Sequence, residues 1–479
     1  MSHGATRPVS FHMPGHKGKA FYVDNGYGEF LEEIMNCDIT EIPGADNLFQ
    51  AEEVIRETMD KYKRLYESKE SYLLINGSSA GILAAILSSV SKGGKLIMAR
   101  NCHKSAFNAL SLGDITPVYA FPSTVEEYGI LGEVSASEIA KCLDENPEAE
   151  AVILPSPNYY GICSDIKAIA GEVHKRGKIL IVDQAHGAHL KFFKDEYNFP
   201  KPAEEQGADI VINSIHKTLG SFGQTALLNV CSDRVDLIAL EDKLQVVESS
   251  SPSYPMMATL DINADILINN GEKLMEDWAK NIDWFYNAAK DVPGLKVMAN
   301  GYLDKTKLNL DMSRYGMTGN DLEEFLMEKN IFIELVAGNV LMCMTGIGNK
   351  RSDFEKLIDA LKEVAETRTL SEDISKAQPK SLTKKLEWAG VPNKKEAVHV
   401  DDAAGRICAM SIIPYPPGIP IACPGEVLDK ELLEYIKERR SLGEKVIGLN
   451  ENMMIQVDKI SILLDLRNII EYSNNPKRS

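Results

Sequence analysis

The stretch SIHKTLGSFG, residues 214–223, contains the residue best suited to covalent chemistry. Lys217 stands beside His216, directly after the apolar run DIVIN and ahead of two glycines. A lysine held at the end of a buried strand can form a Schiff base with an aldehyde cofactor. This stretch alone is equally compatible with a surface lysine that follows a strand, so its interpretation depends on other residues.

Two further stretches offer groups that such a cofactor needs. KILIVDQAHGAH (178–189) places Asp183 at the end of an apolar run, where α/β sheets bind their ligands. A carboxylate there can keep a ring nitrogen protonated, although an aspartate after a strand can also cap a helix. NGSSAG (76–81) opens a helix, and its N–H groups with the hydroxyls of Ser78 and Ser79 suit a phosphate.

A fourth stretch, RNCHKS (100–105), places His103 just after another apolar run. Its flat ring could stack on a cofactor, whereas a lone histidine is more often structural. Taken together, the four stretches supply an imine-forming amine, a ring-nitrogen partner, a phosphate site and a stacking ring. That combination favours a cofactor site over four unrelated structural roles.

The elements that position these residues follow from the alternation of apolar runs and helical stretches between residues 51 and 290. Such alternation predicts an α/β fold with a mostly parallel sheet and helices on both faces. All four candidate stretches follow strands, so they should meet in one layer at the strand ends. The predicted strands are 71–76, 95–99, 117–121, 151–156, 178–183, 209–214 and 226–230.

Near Gly316 the pattern changes to that of a smaller α+β region. Asn320 is predicted to cap one helix, and a second helix is predicted to start at Ser352 with Glu355 completing a capping box. The polar, lysine-rich residues 366–396 are predicted to be a linker or surface insertion. The predicted organisation is an arm (1–50), a large domain (51–290), a small α+β domain with a polar linker (291–390) and a C-terminal module (391–479).

Composition limits the possible partners and the compartment. Of 479 residues, 52 are basic and 70 acidic, so the formal net charge is −18, which disfavours nucleic acid or an anionic membrane as a partner. The eight cysteines show neither CxxC pairs nor zinc-like spacing, so we expect reduced thiols and no metal site. No apolar run reaches the ~18 residues of a membrane span and no signal peptide is recognisable, which predicts a cytoplasmic protein.

The chain resembles the Orn/Lys/Arg decarboxylase family in its short form, a family of pyridoxal-phosphate enzymes with the aspartate aminotransferase fold (fold type I). The matching stretches span nearly the whole chain in the family's order. They are HMPGHK (12–17), TEIPGADNL (40–48), GSSAG (77–81), NCHKS (101–105), DQAHGAH (183–189), SIHK (214–217), SSPSY (250–254) and PYPPGIP–PGE (414–426).

The resemblance implies roles for individual residues of this chain. Lys217 would carry the pyridoxal phosphate, Asp183 would contact the pyridine nitrogen, and His103 would stack on the ring. His216 or the freed Lys217 would return a proton to the substrate. The resemblance also implies that His186 lies close to the cofactor, that Ser78, Ser79, Ser214 and His216 surround its phosphate, and that Ser249 and Ser250 reach the phosphate of a neighbouring subunit.

The implied reaction is decarboxylation of arginine, lysine or ornithine to the corresponding amine, as in polyamine biosynthesis. Two alternatives remain open: an aminotransferase or lyase of the same fold, and an inactive regulatory homologue. The carboxylate that would hold the substrate's distal group is also open between Glu426, Asp46 and Glu41.

The segment FHMPGHKGKAF (11–21) precedes the first predicted core element. Its proline and glycines disfavour a helix, so it should be either a disordered tail or an extended arm tied to a partner surface. We expect an arm that brings His16 and Lys17 to the active site of a neighbouring subunit, anchored by Phe11 and Met13. The protein would then be at least a homodimer with shared sites.

Overall fold

The computed structural model separates the chain into two compact units, residues 1–383 and 384–479. Within the predicted linker, residues 372–385 lie outside the described part of the chain, and so do residues 416–418 of the PYPPGIP stretch. The described residues are 8–299, 301–371, 386–415, 419–441 and 445–459.

The α-helices and strands of these residues are numbered in chain order. The helices are α1 (Lys19–Asp24), α2 (Gly28–Glu32), α3 (Val54–Tyr66), α4 (Gly77–Ser89), α5 (Lys104–Gly113), α6 (Ala136–Glu145), α7 (Ile166–Lys175), α8 (Ile215–Thr218), α9 (Leu237–Val247), α10 (Tyr254–Ala289), α11 (Gly319–Glu328), α12 (Arg351–Thr367) and α13 (Lys430–Ser441). The strands are β1 (Val9–Phe11), β2 (Glu70–Leu74), β3 (Lys95–Ala99), β4 (Thr116–Ala120), β5 (Thr124–Val125), β6 (Ile130–Leu131), β7 (Ala149–Pro155), β8 (Ile179–Asp183), β9 (Ile210–Asn213), β10 (Ala226–Val230), β11 (Lys296–Val297), β12 (Lys307–Asp311), β13 (Ile331–Ile333), β14 (Leu335–Ala337), β15 (Val340–Met344), β16 (Lys395–His399), β17 (Ile413–Tyr415), β18 (Lys445–Ile447) and β19 (Met454–Asp458).

A seven-stranded sheet forms the centre of the first unit, in the order β2-β10-β9-β8-β7-β3-β4. Strands β9, β8, β7, β3 and β4 are mutually parallel. Strand β10 is antiparallel to both of its neighbours, so β2 runs in the same direction as the parallel strands. The predicted α/β fold with a mostly parallel sheet is therefore confirmed, and all seven predicted strands are present. Their near-continuous burial is typical of a sheet covered on both faces.

A second sheet in the same unit has the order β11-β12-β15-β14. Helix α11 begins after Thr318, whose hydroxyl accepts the N–H of Asp321 while the Asp321 carboxylate accepts the N–H of Thr318. The prediction that Asn320 caps this helix is wrong, because Asn320 lies inside its first turn. Helix α12 likewise begins earlier than predicted.

At the start of α12, the carboxylate of Asp353 accepts the N–H of Lys350. The predicted capping box of Ser352 and Glu355 is therefore wrong. In both helices an aspartate three residues after the cap satisfies a free N–H of the first turn. These shifts of one or two residues leave the element order unchanged.

The N-terminal segment packs into its own chain. Strand β1 pairs in parallel with β13, and Phe11 is fully buried with its ring edge-on to Phe354 at 5.7 Å. The backbone N–H of Gly15 donates to the carbonyl of His216 at 2.8 Å. The expectation that this segment crosses to a neighbouring subunit is therefore wrong, since its anchoring groups already have partners within the same chain. A helix, α1, follows directly.

Glycines make this close packing possible. A Cβ added to Gly15 would lie 2.3 Å from the carbonyl carbon of Thr218. A Cβ on Gly346 would lie 2.7 Å from the Cα of Gly15, and one on Gly348 would lie 2.3 Å from the carbonyl oxygen of His16. The PGHKG stretch thus passes between two other backbone segments at distances that only glycine allows.

The second unit contains two antiparallel strand pairs, β16 with β19 and β17 with β18, together with α13. Arg406 donates to the carboxylates of Asp458 and Glu396, which ties the strand pair β16–β19 to the chain before β17. Across the described ranges of both units, no helix has the length and apolar character needed to cross a membrane.

Candidate active site

The carboxyl ends of β2, β3, β8 and β9 lie at one edge of the central sheet, because these strands run in the same direction. Each is followed by a predicted site residue. The sheet thus carries the side chains toward one layer, as the sequence pattern predicts. The residues are Ser78 and Ser79 after β2, His103 after β3, Asp183 and His186 at and after β8, and Ser214, His216 and Lys217 after β9.

Lys217 lies in the short helix α8, and its Nζ is 2.8 Å from Nε2 of His186. Burial lowers the pKa of Lys217 below its usual value, while the negative charges of Asp183 and Glu334 act in the opposite direction. A lowered pKa increases the fraction of neutral amine, which is the nucleophilic form. The environment of Lys217 therefore suits a lysine that reacts with a carbonyl group.

The ring of His186 packs against Tyr159, with centroids 4.5 Å apart and planes inclined by 54°. Burial, together with the positive charge of Lys217, lowers the pKa of His186 well below its usual value, so its imidazole is neutral. Its Nδ1 is buried and has no hydrogen-bond partner in the described part of the chain. Such an atom is available to a bound molecule.

Asp183 is only 7% exposed at the end of β8. One carboxylate oxygen accepts the N–H of Ala185 at 3.1 Å, which fixes the side chain in the turn. Burial raises the pKa of Asp183, opposed by the charge of Lys217. A carboxylate removed from water in this way pairs strongly with a cationic N–H donor.

Polar groups suited to an anion follow β2 and β9, at the same edge of the sheet as Lys217. Ser78 and Ser79 occupy the first turn of α4, where backbone N–H groups are free of intrahelical partners. The Oγ of Ser214 is buried and lacks a hydrogen-bond partner among the residues described. His216 donates from Nδ1 to the carbonyl of Thr225 at 2.8 Å, and burial lowers its pKa to about 4.

The remaining predicted site residues are His103, which also caps a helix, and the less buried Ser249 and Ser250. His103 caps α5, where its Nδ1 accepts the N–H of Ser105, and burial lowers its pKa to about 4. Capping the helix and stacking on a cofactor are compatible, because the cap uses only one ring nitrogen of His103 and not the face of its ring. Ser250 is exposed, whereas Ser249 is half-buried and its hydroxyl donates to the carbonyl of Ser251 at 3.3 Å.

These residues fit a planar aldehyde cofactor that carries a phosphate. Two buried polar atoms, Nδ1 of His186 and Oγ of Ser214, have no described protein partner and so are available to one. A desolvated carboxylate, Asp183, lies in electrostatic range of the amine that would bind the aldehyde. Ser78 and Ser79 offer a helix N-terminus for the phosphate.

Comparison with known proteins identifies the family. Residues 1–309 match the family described as Orn/Lys/Arg decarboxylase, major domain, and residues 370–454 match the C-terminal domain of the same family. The chain belongs to the Orn/Lys/Arg decarboxylase family. Its resemblance to this family, inferred from short motifs, is confirmed, and with it the assignment to the carboxy-lyases.

Relatives match over nearly the whole length. Protein YaaO of Bacillus subtilis is 33% identical over 97% of this chain and 97% of its own. An arginine decarboxylase of the same organism is 29% identical over 95% of this chain and 96% of its own. The crystal structure of the lysine decarboxylase LdcF of Francisella novicida superposes with a TM-score of 0.76 at 19% identity, over 93% of this chain and 78% of that one. The fold type I architecture is thereby confirmed.

Three residues near Lys217 in this decarboxylase chain were not among the predicted site residues. They are Tyr159 beside His186, Glu334 within electrostatic range of Lys217, and Lys307, which donates to the carbonyl of His186. Tyr159 follows a predicted strand at the same edge, so the strand-end argument could have found it. Glu334 and Lys307 come from other elements, and no local pattern distinguishes them from surface charges.

Two of the three carboxylates considered for the substrate's distal group have structural roles. Asp46 accepts the N–H groups of residues at the start of α3, which makes it a cap for that helix. Glu426 is fully buried in the second unit and accepts the N–H of Cys423 at 2.7 Å. Among the residues that the structure describes, Glu41 has no comparable hydrogen bond.

Glu248 supports the turn that precedes α4. One of its carboxylate oxygens accepts the N–H of Asn76 at 3.0 Å, and the other is buried without a described partner. Burial raises the pKa of Glu248 to about 7. The folded state of the enzyme therefore binds a proton here that the unfolded chain releases above about pH 4.5.

Glu248→Gln should consequently change how stability depends on pH. The stabilisation from the protonated Glu248 is complete below its unfolded pKa and disappears as pH rises through the folded value of about 7. At pH 8 the variant should exceed wild type in unfolding free energy by on the order of 1–3 kcal/mol, and the difference should vanish near pH 4.5. Thermal midpoints at both pH values test this, with the exposed Glu355→Gln as control. Parallel pH curves for the variant and wild type would refute it.

Proposed function

We propose that the protein is a pyridoxal-phosphate-dependent decarboxylase of a basic amino acid, with arginine or lysine favoured over ornithine. The observation that carries the proposal is the contact of Lys217 with His186 at 2.8 Å, beside the buried carboxylate of Asp183. The family supports decarboxylation of a basic amino acid, and its named relatives act on arginine or lysine.

Bound pyridoxal phosphate would supply an aldehyde and an electron-withdrawing ring that accepts the electron pair left when CO₂ departs. Lys217 would bind the aldehyde until the substrate amine replaces it. Asp183 would hold the proton on the ring nitrogen by its charge, and His103 would lie against the ring face. Ser78, Ser79, Ser214 and His216 would hold the phosphate.

The proton that replaces CO₂ on the substrate's α-carbon needs a carrier close to Lys217. Lys217 is suited to this role, because its lowered pKa allows it to give up a proton readily. His186 at 2.8 Å can exchange that proton with it. His216 remains the alternative carrier, although its Nδ1 already donates to the carbonyl of Thr225.

Glu334 is the carboxylate best placed for the substrate's distal cation. Its charge raises the pKa of Lys217 and also that of Lys17, so it lies near the reactive amine. One oxygen accepts the N–H of Met13 at 3.0 Å, which fixes the side chain against the N-terminal segment. A carboxylate held in this way can pair with an ammonium or guanidinium group.

Glu334→Gln should therefore weaken substrate binding more than turnover. The amide keeps an oxygen for the Met13 N–H but carries no charge, so KM for arginine or lysine should rise about 10- to 100-fold. We expect kcat to fall less than KM rises. Steady-state kinetics would test this, with Glu328→Gln on the exposed end of α11 as control. An unchanged KM would assign the distal group to another residue.

We also propose that two subunits associate and share active sites, with Ser249 and Ser250 reaching the partner's phosphate. The exposure of Ser250 in the single chain supports this arrangement. The eight cysteines all carry free thiols, which supports a cytoplasmic location.

The decisive experiment is an assay of the purified protein with arginine, lysine and ornithine, with and without added pyridoxal phosphate. Release of CO₂ and one amine, dependent on the cofactor, would support the proposal and identify the substrate. Formation of a keto acid would indicate transamination instead. Absence of both products, together with absence of a visible cofactor band, would contradict an enzymatic role.

A further inference from the structure

A fully buried ionic cluster lies behind the site. It consists of Asp304, Thr306, Lys307 and His189, each with 0% exposure. Lys307 donates to the carboxylate of Asp304 at 2.7 Å and to the hydroxyl of Thr306 at 3.2 Å. Nε2 of His189 lies 3.1 Å from the same carboxylate, so the imidazole donates to it. The same carboxylate also accepts the backbone N–H and the hydroxyl of Thr306, so the buried Asp304 charge has three N–H donors and one O–H donor.

The cluster reaches both partners of the Lys217–His186 contact. The ammonium of Lys307 donates to the backbone carbonyl of His186. On the other side, Nδ1 of His189 lies 3.1 Å from the hydroxyl of Thr218, the residue after Lys217. Since Nε2 of His189 carries the proton toward Asp304, Nδ1 is the acceptor and Thr218 the donor. The buried cluster therefore contacts both the segment that carries His186 and the segment that carries Lys217.

A buried ionic cluster contributes less to stability than its number of contacts suggests. Burial of an ion pair costs desolvation energy, and well-packed apolar residues of the same volume are often equally or more stabilising. What an ion pair provides instead is a defined geometry, because each charged group forms hydrogen bonds in only a few directions. The Lys307 ammonium donates three hydrogen bonds, and one of them goes to the carbonyl of His186 in the candidate site.

We infer that Lys307 is a positioning residue for the proposed reaction: paired with Asp304, it sets the distance between the amine of Lys217 and the imidazole of His186. The hydrogen bond between His189 and Thr218 holds the segment of Lys217 from the other side. The inference rests on the proposed function, because a fixed distance between Lys217 and His186 matters for turnover only if these two residues transfer the proton to the substrate.

Electrostatics point in the same direction. The positive charge of Lys307 lowers the pKa of Lys217, whereas Asp183 and Glu334 raise it. Neutralising Lys307 together with Asp304 removes this nearby cation and should move the titration of Lys217 upward. The other titratable groups that interact with Lys217 are His103, His186 and His216.

The test compares three variants as cofactor-loaded enzymes. The double variant Lys307→Met with Asp304→Asn removes both charges and leaves no unpaired buried ion. Thr218→Val removes only the hydroxyl that donates to His189 and preserves the shape of the side chain. His174→Gln is the matched control, because it breaks a histidine–aspartate contact, to Asp209 at 2.9 Å, at the opposite end of the sheet.

We expect the double variant to lose about tenfold to a hundredfold in kcat with KM within about threefold, because misplacing catalytic groups by about an ångström has effects of this size. The pH titration of the cofactor's visible absorption should move upward by more than about half a unit. Thr218→Val should also lower kcat, and the logarithm of its loss should be about a third of that of the double variant. His174→Gln should lower the thermal midpoint and leave kcat and the titration unchanged.

Three results would overturn the inference or its basis. If the double variant and Thr218→Val change only the thermal midpoint, the cluster is structural and positions nothing. If the double variant does not fold, Thr218→Val decides alone, and a wild-type kcat in that variant refutes the inference. If wild type itself shows neither a cofactor band nor decarboxylation, the proposed function has failed, a result distinct from the other two.

Discussion

Lys217→Ala should abolish turnover while the protein stays folded. The substitution removes the amine that would bind the cofactor's aldehyde and carry a proton beside His186, so kcat should fall by on the order of a thousandfold or more. The fold should persist, because the contact of the Lys217 side chain with His186 can be lost without opening the core. Turnover, the visible cofactor absorption and the thermal midpoint are the measurements.

The matched control for this variant is Lys104→Ala, an exposed lysine beside His103. It should keep full activity and the cofactor band. Borohydride reduction of wild type followed by peptide mapping should attach the cofactor to the peptide that contains Lys217. Attachment to any other lysine would show that the assignment is wrong.

Asp183→Asn should lower kcat by about 2–4 kcal/mol of transition-state stabilisation, a factor of roughly 30 to 1,000. Asparagine keeps an oxygen that can accept the N–H of Ala185, so the turn after β8 should survive. What disappears is the negative charge, which would no longer favour a proton on the ring nitrogen. Because the wild-type carboxylate is buried and its pKa is raised, the variant should be at least as stable as wild type.

Reconstitution with a cofactor methylated on the ring nitrogen separates charge from geometry in this variant. That ring carries a permanent positive charge, so wild type and Asp183→Asn should differ much less with it than with pyridoxal phosphate. A variant with kcat near wild type on the natural cofactor would show that Asp183 only shapes the turn.

The central sheet and the set of residues at its edge could be predicted because they depend on local patterns. Each strand is an apolar run, and parallel strands must end at the same edge, so Asp183, His103 and Lys217 could be placed in one layer without coordinates. Their individual roles remain predictions. The residues that could not be predicted, Glu334 and Lys307, come from other elements of the same unit and reach the site only through tertiary packing.

The error over the N-terminal segment has a definite physical cause. Its composition correctly indicated an extended chain that needs a surface, but composition cannot say which surface. The close approaches of Gly15 to the segments around Thr218 and Gly346 depend on backbone geometry more than two hundred residues away. Lys17 illustrates the same point, because its burial, which lowers its pKa to about 7, follows from hydrogen bonds to the carbonyls of His12 and Met344.

The passage of the PGHKG stretch between two distant segments has a consequence for synthesis on the ribosome. Strand β1 is made first, yet its partner β13 and the Gly346 loop follow more than 300 residues later. Closure of so long a loop carries an entropic cost and cannot begin until those residues have left the ribosomal tunnel. The packing of the PGHKG stretch against the segment of His216 and Lys217 is therefore among the last parts of this unit to assemble, and nascent chains that end before residue 331 should lack it.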